Sequence, residues 1–441
     1  MPEIKRPLPP LFQVVLRPFQ SFFELEMAGG ILLVVAAAVA LAWANSPWAA
    51  VYEGLLHYPL AVQVGSLRAA FELHVLVNDV LMTVFFAVVG MEIKRELAVG
   101  ELRTPARALL PAVAAVGGMA VPGLVYLAFN AGRPSASGWA IPMATDIAFS
   151  IGVLTLVRGR VHHGLVVFLT ALAIFDDLGG ILVIALFYGS GLHAPWLLAA
   201  LGVTAVLALF NHYYVRNGVL WLAGGAALWT CMHHGGIHAT IAGVVLGMCM
   251  PARGLQSPGD VLEALRRHVE GLSGKPAEEE VQAQEILQIE ETLEDLEPPL
   301  NRFVHLLHPW VVYGILPLFA LANAGVALRG GPEVSLLSPV SLGVGLGLLL
   351  GKPVGIFLTT WMAVRAGLSP MPGKAHPAQL FGVAVVGGIG FTVALFVASL
   401  SFPGMPGVLD SAKLGVLVGS FASALLGYAI LRFGPGAREA A

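Results

Sequence analysis

The sequence is short of charge and of cysteine. Of its 441 residues only 12% are charged, about half the share of an average soluble domain, and 57% are hydrophobic. That profile argues against a soluble enzyme of this length, and it excludes a disordered chain, which is polar and charged. The two cysteines, Cys231 and Cys249, are too few for a disulfide framework and wrongly spaced for a zinc site. Basic residues are scattered rather than massed, so no nucleic-acid partner is expected. The first twenty residues lack a short apolar core followed by a small-residue cleavage site, and are read as a retained cytoplasmic segment.

What the chain has in quantity is apolar runs, with 52 glycines and 29 prolines. Runs of about 20 residues lie near 27–44, 73–93, 108–130, 138–157, 164–188, 194–211, 217–232, 236–250, 305–327, 338–363, 378–400 and 412–432. The expectation is therefore an all-α polytopic membrane protein of about twelve transmembrane helices. With the N-terminus inside, nineteen Lys and Arg fall in cytoplasmic segments and four (Arg68, Arg133, Arg329 and Lys413) outside, Lys352 lying within a span. One miscounted span would scramble that asymmetry, so it supports the count and places both termini inside.

The domain organisation follows. Residues 1–26 form a cytoplasmic N-terminal segment and 27–250 the first eight spans, with an external loop at 45–72 whose alternation suits a small hairpin. An acidic cytoplasmic loop takes up 251–304, spans nine to twelve take up 305–432, and 433–441 is a cytoplasmic tail. Within 255–300 twelve acids face three bases, and Val281, Ile286, Ile289, Leu293 and Leu296 are spaced as one helical stripe. The plain reading is a helical linker; a regulatory role is the alternative.

A charge at mid-bilayer costs several kcal/mol, so each ionisable residue inside a span is a functional candidate. The candidates are Asp176 and Asp177 in LAIFDDLGGILVIALF, Asp146 in AIPMATDIAF, Lys352 in GLLLGKPVGIF, Asp79 in LVNDVLMTVFF, and Glu92 near a span end. Asp176 and Asp177 point about 100° apart on a helix. They cannot both be ionised cheaply, so the pair can hold a proton or a small hard cation but not comfortably both. Such competition is the basis for exchange. A structural ion pair with Lys352 is the plainer reading, but it leaves a negative charge over.

Pro142 interrupts the span that carries Thr145 and Asp146, and Gly387, Gly388 and Gly390 lie mid-span in AVVGGIGFTVALF. Two interrupted segments at corresponding places in the two halves point to an inverted-repeat transporter with its site at the midplane. Asp146 is placed to neutralise facing positive helix ends and Lys352 the negative ones. His233, His234 and His238 in CMHHGGIHAT offer a pH-sensitive hinge or a simple boundary polar cluster in preference to a zinc site, since glycines break the helix and no acid is adjacent. Glu92, Lys94, Arg95 and Glu96, with His305 and His308, form a second titratable set, read equally as interfacial charges or as regulatory.

Read in order, VGMEIKRELAVGELR, ATDIAFSIGVL, ALAIFDDLGGILVIALFYG, GGIHATIAGVVLG, LFALANAG, LGKPVGI and GGIGFTVALF resemble the NhaA-type sodium/proton antiporters from about residue 20 to 432. This family exemplifies inverted repeats with broken helices. The resemblance implies repeats formed by spans three to five and ten to twelve, with spans four and eleven crossing at the midplane as broken helices. It implies Asp177 as the principal carboxylate for Na⁺ and H⁺, Asp176 beside it pairing with Lys352, and Thr145, Asp146, Gly388 and Gly390 as supports. It associates Glu92, Lys94, Arg95, Glu96, His238 and His305 with pH response. It further implies electrogenic exchange of cytoplasmic Na⁺ or Li⁺ for external H⁺ without a cofactor, in a bacterial inner membrane, by a homodimer joined through 45–72. One departure is Val304, where the family often has an acid before the first His of HxxHPW.

Three rival classes make distinct demands. A cation-coupled symporter of an organic anion needs a buried Arg or a polar cavity, and the spans offer no Arg. A structural or signalling protein would tolerate Asp→Asn at the paired acids. A membrane enzyme needs a nucleophile with a His and acid partner, and none is evident.

Overall fold

The computed structural model describes residues 28–64, 67–157, 159–189, 191–254, 298–328 and 334–434, with isolated positions at 259, 263 and 266. The N-terminal segment, the apolar stripe of the acidic loop and residues 435–441 of the C-terminal tail lie outside the described residues. The chain divides into two compact units, one of Met1–His74, Val113–Asp176 and Val312–Ala441, the other of Val75–Ala112 and Asp177–Val311.

Helix α1 (Ala28–Ala44) is followed by a short α2 (Ala49–Leu56) and by antiparallel strands β1 (Pro59–Val64) and β2 (Leu67–Glu72), paired from Pro59↔Glu72 to Val64↔Leu67. The alternation within 45–72 thus gives the expected hairpin; α2 was hidden before it. Then come α3 (Leu73–Ala98) and α4 (Pro105–Asn130). A 3₁₀ segment (Pro134–Met143) is bent by 44° from α5 (Ile147–Leu156). Next are α6 (His163–Phe187), α7 (Ala194–His212), α8 (Gly218–Gly235) and α9 (Ile241–Cys249). The last group is α10 (Pro299–Asn323), α11 (Pro339–Arg365), α12 (Pro377–Val386), α13 (Phe391–Ser401) and α14 (Pro406–Phe433), with 48° between α12 and α13.

Proline opens five of these helices, at Pro105, Pro299, Pro339, Pro377 and Pro406, where its missing N–H is no loss. The long–broken–long order of α4, 3₁₀ segment and α5, and α6 recurs in α11, α12 and α13, and α14. A helix or broken helix stands at each of the twelve apolar runs. Seven are long and apolar enough to cross a membrane alone, and ten if each of three bent pairs is one span. The run at 236–250 shrinks to α9, because Gly236 (φ 81) ends α8 in the left-handed region and the chain turns until Thr240.

Small residues set the packing within each unit. In the first, α4 and α11 touch backbone to backbone: a Cβ at Gly355 would fall 2.1 Å from the Gly117 carbonyl oxygen. Replacing Gly355 with Ala is expected to lower the thermal unfolding midpoint in detergent, since overpacking of this kind costs about 1–3 kcal/mol. An unchanged midpoint would mean that the helices part freely there. In the second unit α9 lies parallel to α3, with Gly243 against the Thr83 carbonyl and Gly247 against that of Ala87.

Candidate functional site

Each helix break exposes backbone groups that the helix would have paired: carbonyls at the end of the first half and N–H groups at the start of the second. In the first unit the two breaks meet and partner each other. The Asp146 amide donates to the Ile389 carbonyl at 2.6 Å. On the carbonyl side, Thr145 Oγ1 lies 3.0 Å from Gly387 O and shares its one proton between that carbonyl and Asp176, Ser150 Oγ donates to Val386 O at 3.2 Å, and Lys352 Nζ donates to Met143 O. On the N–H side, Asp146 serves both breaks. Its Oδ1 accepts from Phe149 N at 3.0 Å, capping α5, and its Oδ2 accepts from Thr392 N at 3.1 Å and Thr392 Oγ1 at 2.6 Å, at the start of α13. Asp146 thus accepts from the starts of both second halves, whereas Lys352 donates at the end of one first half only, that of the 3₁₀ segment.

Asp176 on α6 joins this junction. Its Oδ2 is 2.8 Å from Lys352 Nζ and accepts from Thr145 Oγ1 at 2.8 Å. Its Oδ1 is buried and has no hydrogen-bond partner among the described residues. Thr145 and Lys352 are fully buried, and Asp146 and Asp176 are 2% exposed. A buried carboxylate oxygen without a donor is costly to keep, and it is an atom suited to a proton or a hard cation. Asp177, the next residue of α6, is also buried and belongs to the second unit. Gly388 and Gly390 stand where a side chain would not fit: a Cβ would lie 2.4 Å from Leu348 O at Gly388 and 3.0 Å from Ala144 O at Gly390.

The pH-response candidates all lie in the second unit, in two separate places. Glu92, Lys94, Arg95 and Glu96 are at the C-terminal part of α3, against which the start of α10 packs. Arg95 is close enough to His308 to act on its charge, as is His305. Glu96 Oε2 accepts from Glu101 N at 3.0 Å. His238 lies before α9, hydrogen-bonded through Nδ1 to Thr240 Oγ1 at 2.8 Å. Because α9 runs parallel to α3, with Cys249 near Lys94, His238 is at the opposite end of α9 from the charged group. His233 stacks on Trp229 with ring centroids 5.1 Å apart, and among the described residues no three His, Cys, Asp or Glu side chains form a metal site. Asp79 falls in a π-helical stretch (Leu76–Leu81), and its carbonyl accepts from Thr83.

Sequence reasoning missed Thr392, Ser150 and Ser420, whose Oγ accepts from Gly390 N at 3.2 Å and Phe391 N at 3.1 Å. The one available signal was position: all three lie within a turn of a break or on a helix beside it.

A bundle of apolar helices, two of them broken and joined at buried charges, defines a multi-pass membrane transporter. The family model for Na⁺/H⁺ antiporter 1 matches residues 20–431. Similar relatives include Na⁺/H⁺ antiporter NhaA 1 of Myxococcus xanthus, 61% identical over 97% of this chain and 95% of the relative. NhaA of an Anaeromyxobacter species is 56% identical over 98% and 94%, and NhaA 2 of Pseudomonas savastanoi 47% identical over 94% of each. The chain belongs to the Na⁺/H⁺ antiporter 1 family: a transporter of Na⁺ and H⁺ that needs no cofactor, and not an enzyme.

Proposed function

We propose that the protein exports cytoplasmic Na⁺, or Li⁺, in exchange for external H⁺, with Asp177 as the principal carrier carboxylate and Asp176 beside it. The observation that carries this reading is the unpartnered, buried Oδ1 of Asp176, one residue from Asp177, at the junction of two helix breaks. Na⁺ and H⁺ compete for the carboxylates, Lys352 changes partners as the charge does, and Thr145, Asp146, Gly388 and Gly390 hold the breaks. More H⁺ than Na⁺ crossing per cycle makes the exchange electrogenic. In this reading the twelve helices span a bacterial inner membrane with both termini cytoplasmic, and the activity serves sodium and pH homeostasis.

The test is proton flux in vesicles carrying the purified protein, after Na⁺, Li⁺ or K⁺ is added. Na⁺- and Li⁺-driven flux is expected; no cation-dependent flux at any pH would overturn the proposal. Since protons compete with Na⁺, the apparent KM for Na⁺ should rise as pH falls, by up to about tenfold per unit where one proton displaces one ion. A pH-independent KM would remove the competition. Glu92, Lys94, Arg95, Glu96, His238 and His305 are assigned to pH response, so substituting them should move the profile along the pH axis.

The hairpin of β1 and β2 is two-stranded and has open edges among the described residues, which suits pairing with a second copy. Deleting 59–72 is expected to give monomers that still exchange ions, read by size-exclusion chromatography with light scattering. Dimers persisting without the hairpin would place the interface elsewhere.

A further inference from the structure

The geometry points to Ser420 on α14 as a positioning residue for the exchange, an inference that rests on the reading above of the Asp146 and Asp176 junction. Helix α13 begins at Gly390, whose lack of a side chain leaves the first N–H groups without a local cap. Three successive amides are instead shared between two distant groups. Ser420 Oγ takes Gly390 N at 3.2 Å and Phe391 N at 3.1 Å, and Asp146 Oδ2 takes Thr392 N at 3.1 Å. Ser420 is buried, so no water stands ready to replace it.

Without that hydroxyl, two buried N–H groups lose their partner, and Asp146 becomes the nearest acceptor at the positive end of α13. A shift of Asp146 toward Gly390 carries its chain neighbour Thr145, whose hydroxyl bridges Asp176 Oδ2 and Gly387 O. Ser420 thus acts on the ions through Asp146 and Thr145 without touching them. Ser423 supplies the internal control. It lies one turn along α14 and is fully buried beside Gly388, and its Oγ has no hydrogen-bond partner among the described residues, so its removal tests packing at the break without taking a bond from α13.

The experiment measures Na⁺-driven proton flux against Na⁺ concentration and pH in vesicles, for full-length wild type, Ser420→Ala, Ser420→Thr, Ser420→Cys, Ser423→Ala and Asp177→Asn. Ser420→Ala is expected to raise the apparent KM for Na⁺ about five- to tenfold and to shift the pH profile. Ser420→Thr, which keeps the oxygen, should restore both, and Ser423→Ala should match wild type. If Ser420→Ala does not assemble, Ser420→Cys, which keeps the volume with a weak acceptor, should show an intermediate KM. A wild-type KM and pH profile in Ser420→Ala or Ser420→Cys would overturn the inference, as would equal losses in Ser420→Ala and Ser423→Ala, which would mean packing alone. Retained flux in Asp177→Asn would instead overturn the reading of the site.

Discussion

Asp177→Asn is expected to reduce Na⁺-driven proton flux to the background of empty vesicles while leaving a folded protein. The amide nearly matches the carboxylate in size and shape, so the packing of α6 is kept. What goes is the ability to take up and release a proton and to balance a cation's charge. No neighbouring residue restores both. Asp176 keeps an unpartnered Oδ1, but its charge is already balanced by Lys352 at 2.8 Å, and Asp146 has both oxygens engaged at the breaks. The electrogenic exchange proposed above also needs more negative charge at the site than its lysine cancels, and the substitution removes that excess. Flux and the thermal unfolding midpoint are to be measured together. Lost flux with a midpoint near wild type is the expected pair; retained flux would move the chemistry to another carboxylate.

How far the sequence revealed this site depends on residue type. Charges inside apolar runs are visible because they are costly there, so Asp146, Asp176, Asp177 and Lys352 stand out, and Pro142 and the Gly387–Gly390 stretch mark the breaks. The hydroxyls do not stand out. Thr155, Thr170, Thr204, Thr230 and Thr359 all donate back to the carbonyl four residues earlier, the ordinary fate of threonine in an apolar helix. Thr145 and Thr392 have the same composition around them yet donate to carboxylates, because the breaks bring Asp176 and Asp146 within reach. Only the path of the backbone separates the two groups. The same holds for the expected spans: apolar length locates helices, but it cannot say that α9 is nine residues long or that Leu76–Leu81 and Gly347–Gly351 wind as π-helix.

Removing Lys352 should produce the largest loss of stability, and removing Asp176 with it should recover most of that loss. Lys352 is fully buried, its Nζ 2.8 Å from Asp176 Oδ2 and donating to Met143 O. Lys352→Met keeps the apolar stem but leaves a carboxylate in the interior with Thr145 as its one hydrogen-bond donor. Breaking a buried pair in this way costs about 3–5 kcal/mol, whereas replacing both partners with neutral groups of similar volume is close to neutral. Lys352→Met should therefore show a strongly lowered unfolding midpoint in detergent, and the loss should shrink as pH falls, because a proton on Asp176 removes the uncompensated charge. Lys352→Met/Asp176→Asn should recover most of the midpoint at neutral pH, short of the bond to Met143 O, and should lose the pH dependence. Losses that simply add would show that the two side chains do not depend on each other. The ion pair would then be incidental to the junction, and Lys352 would act through the carbonyl end of the 3₁₀ segment alone.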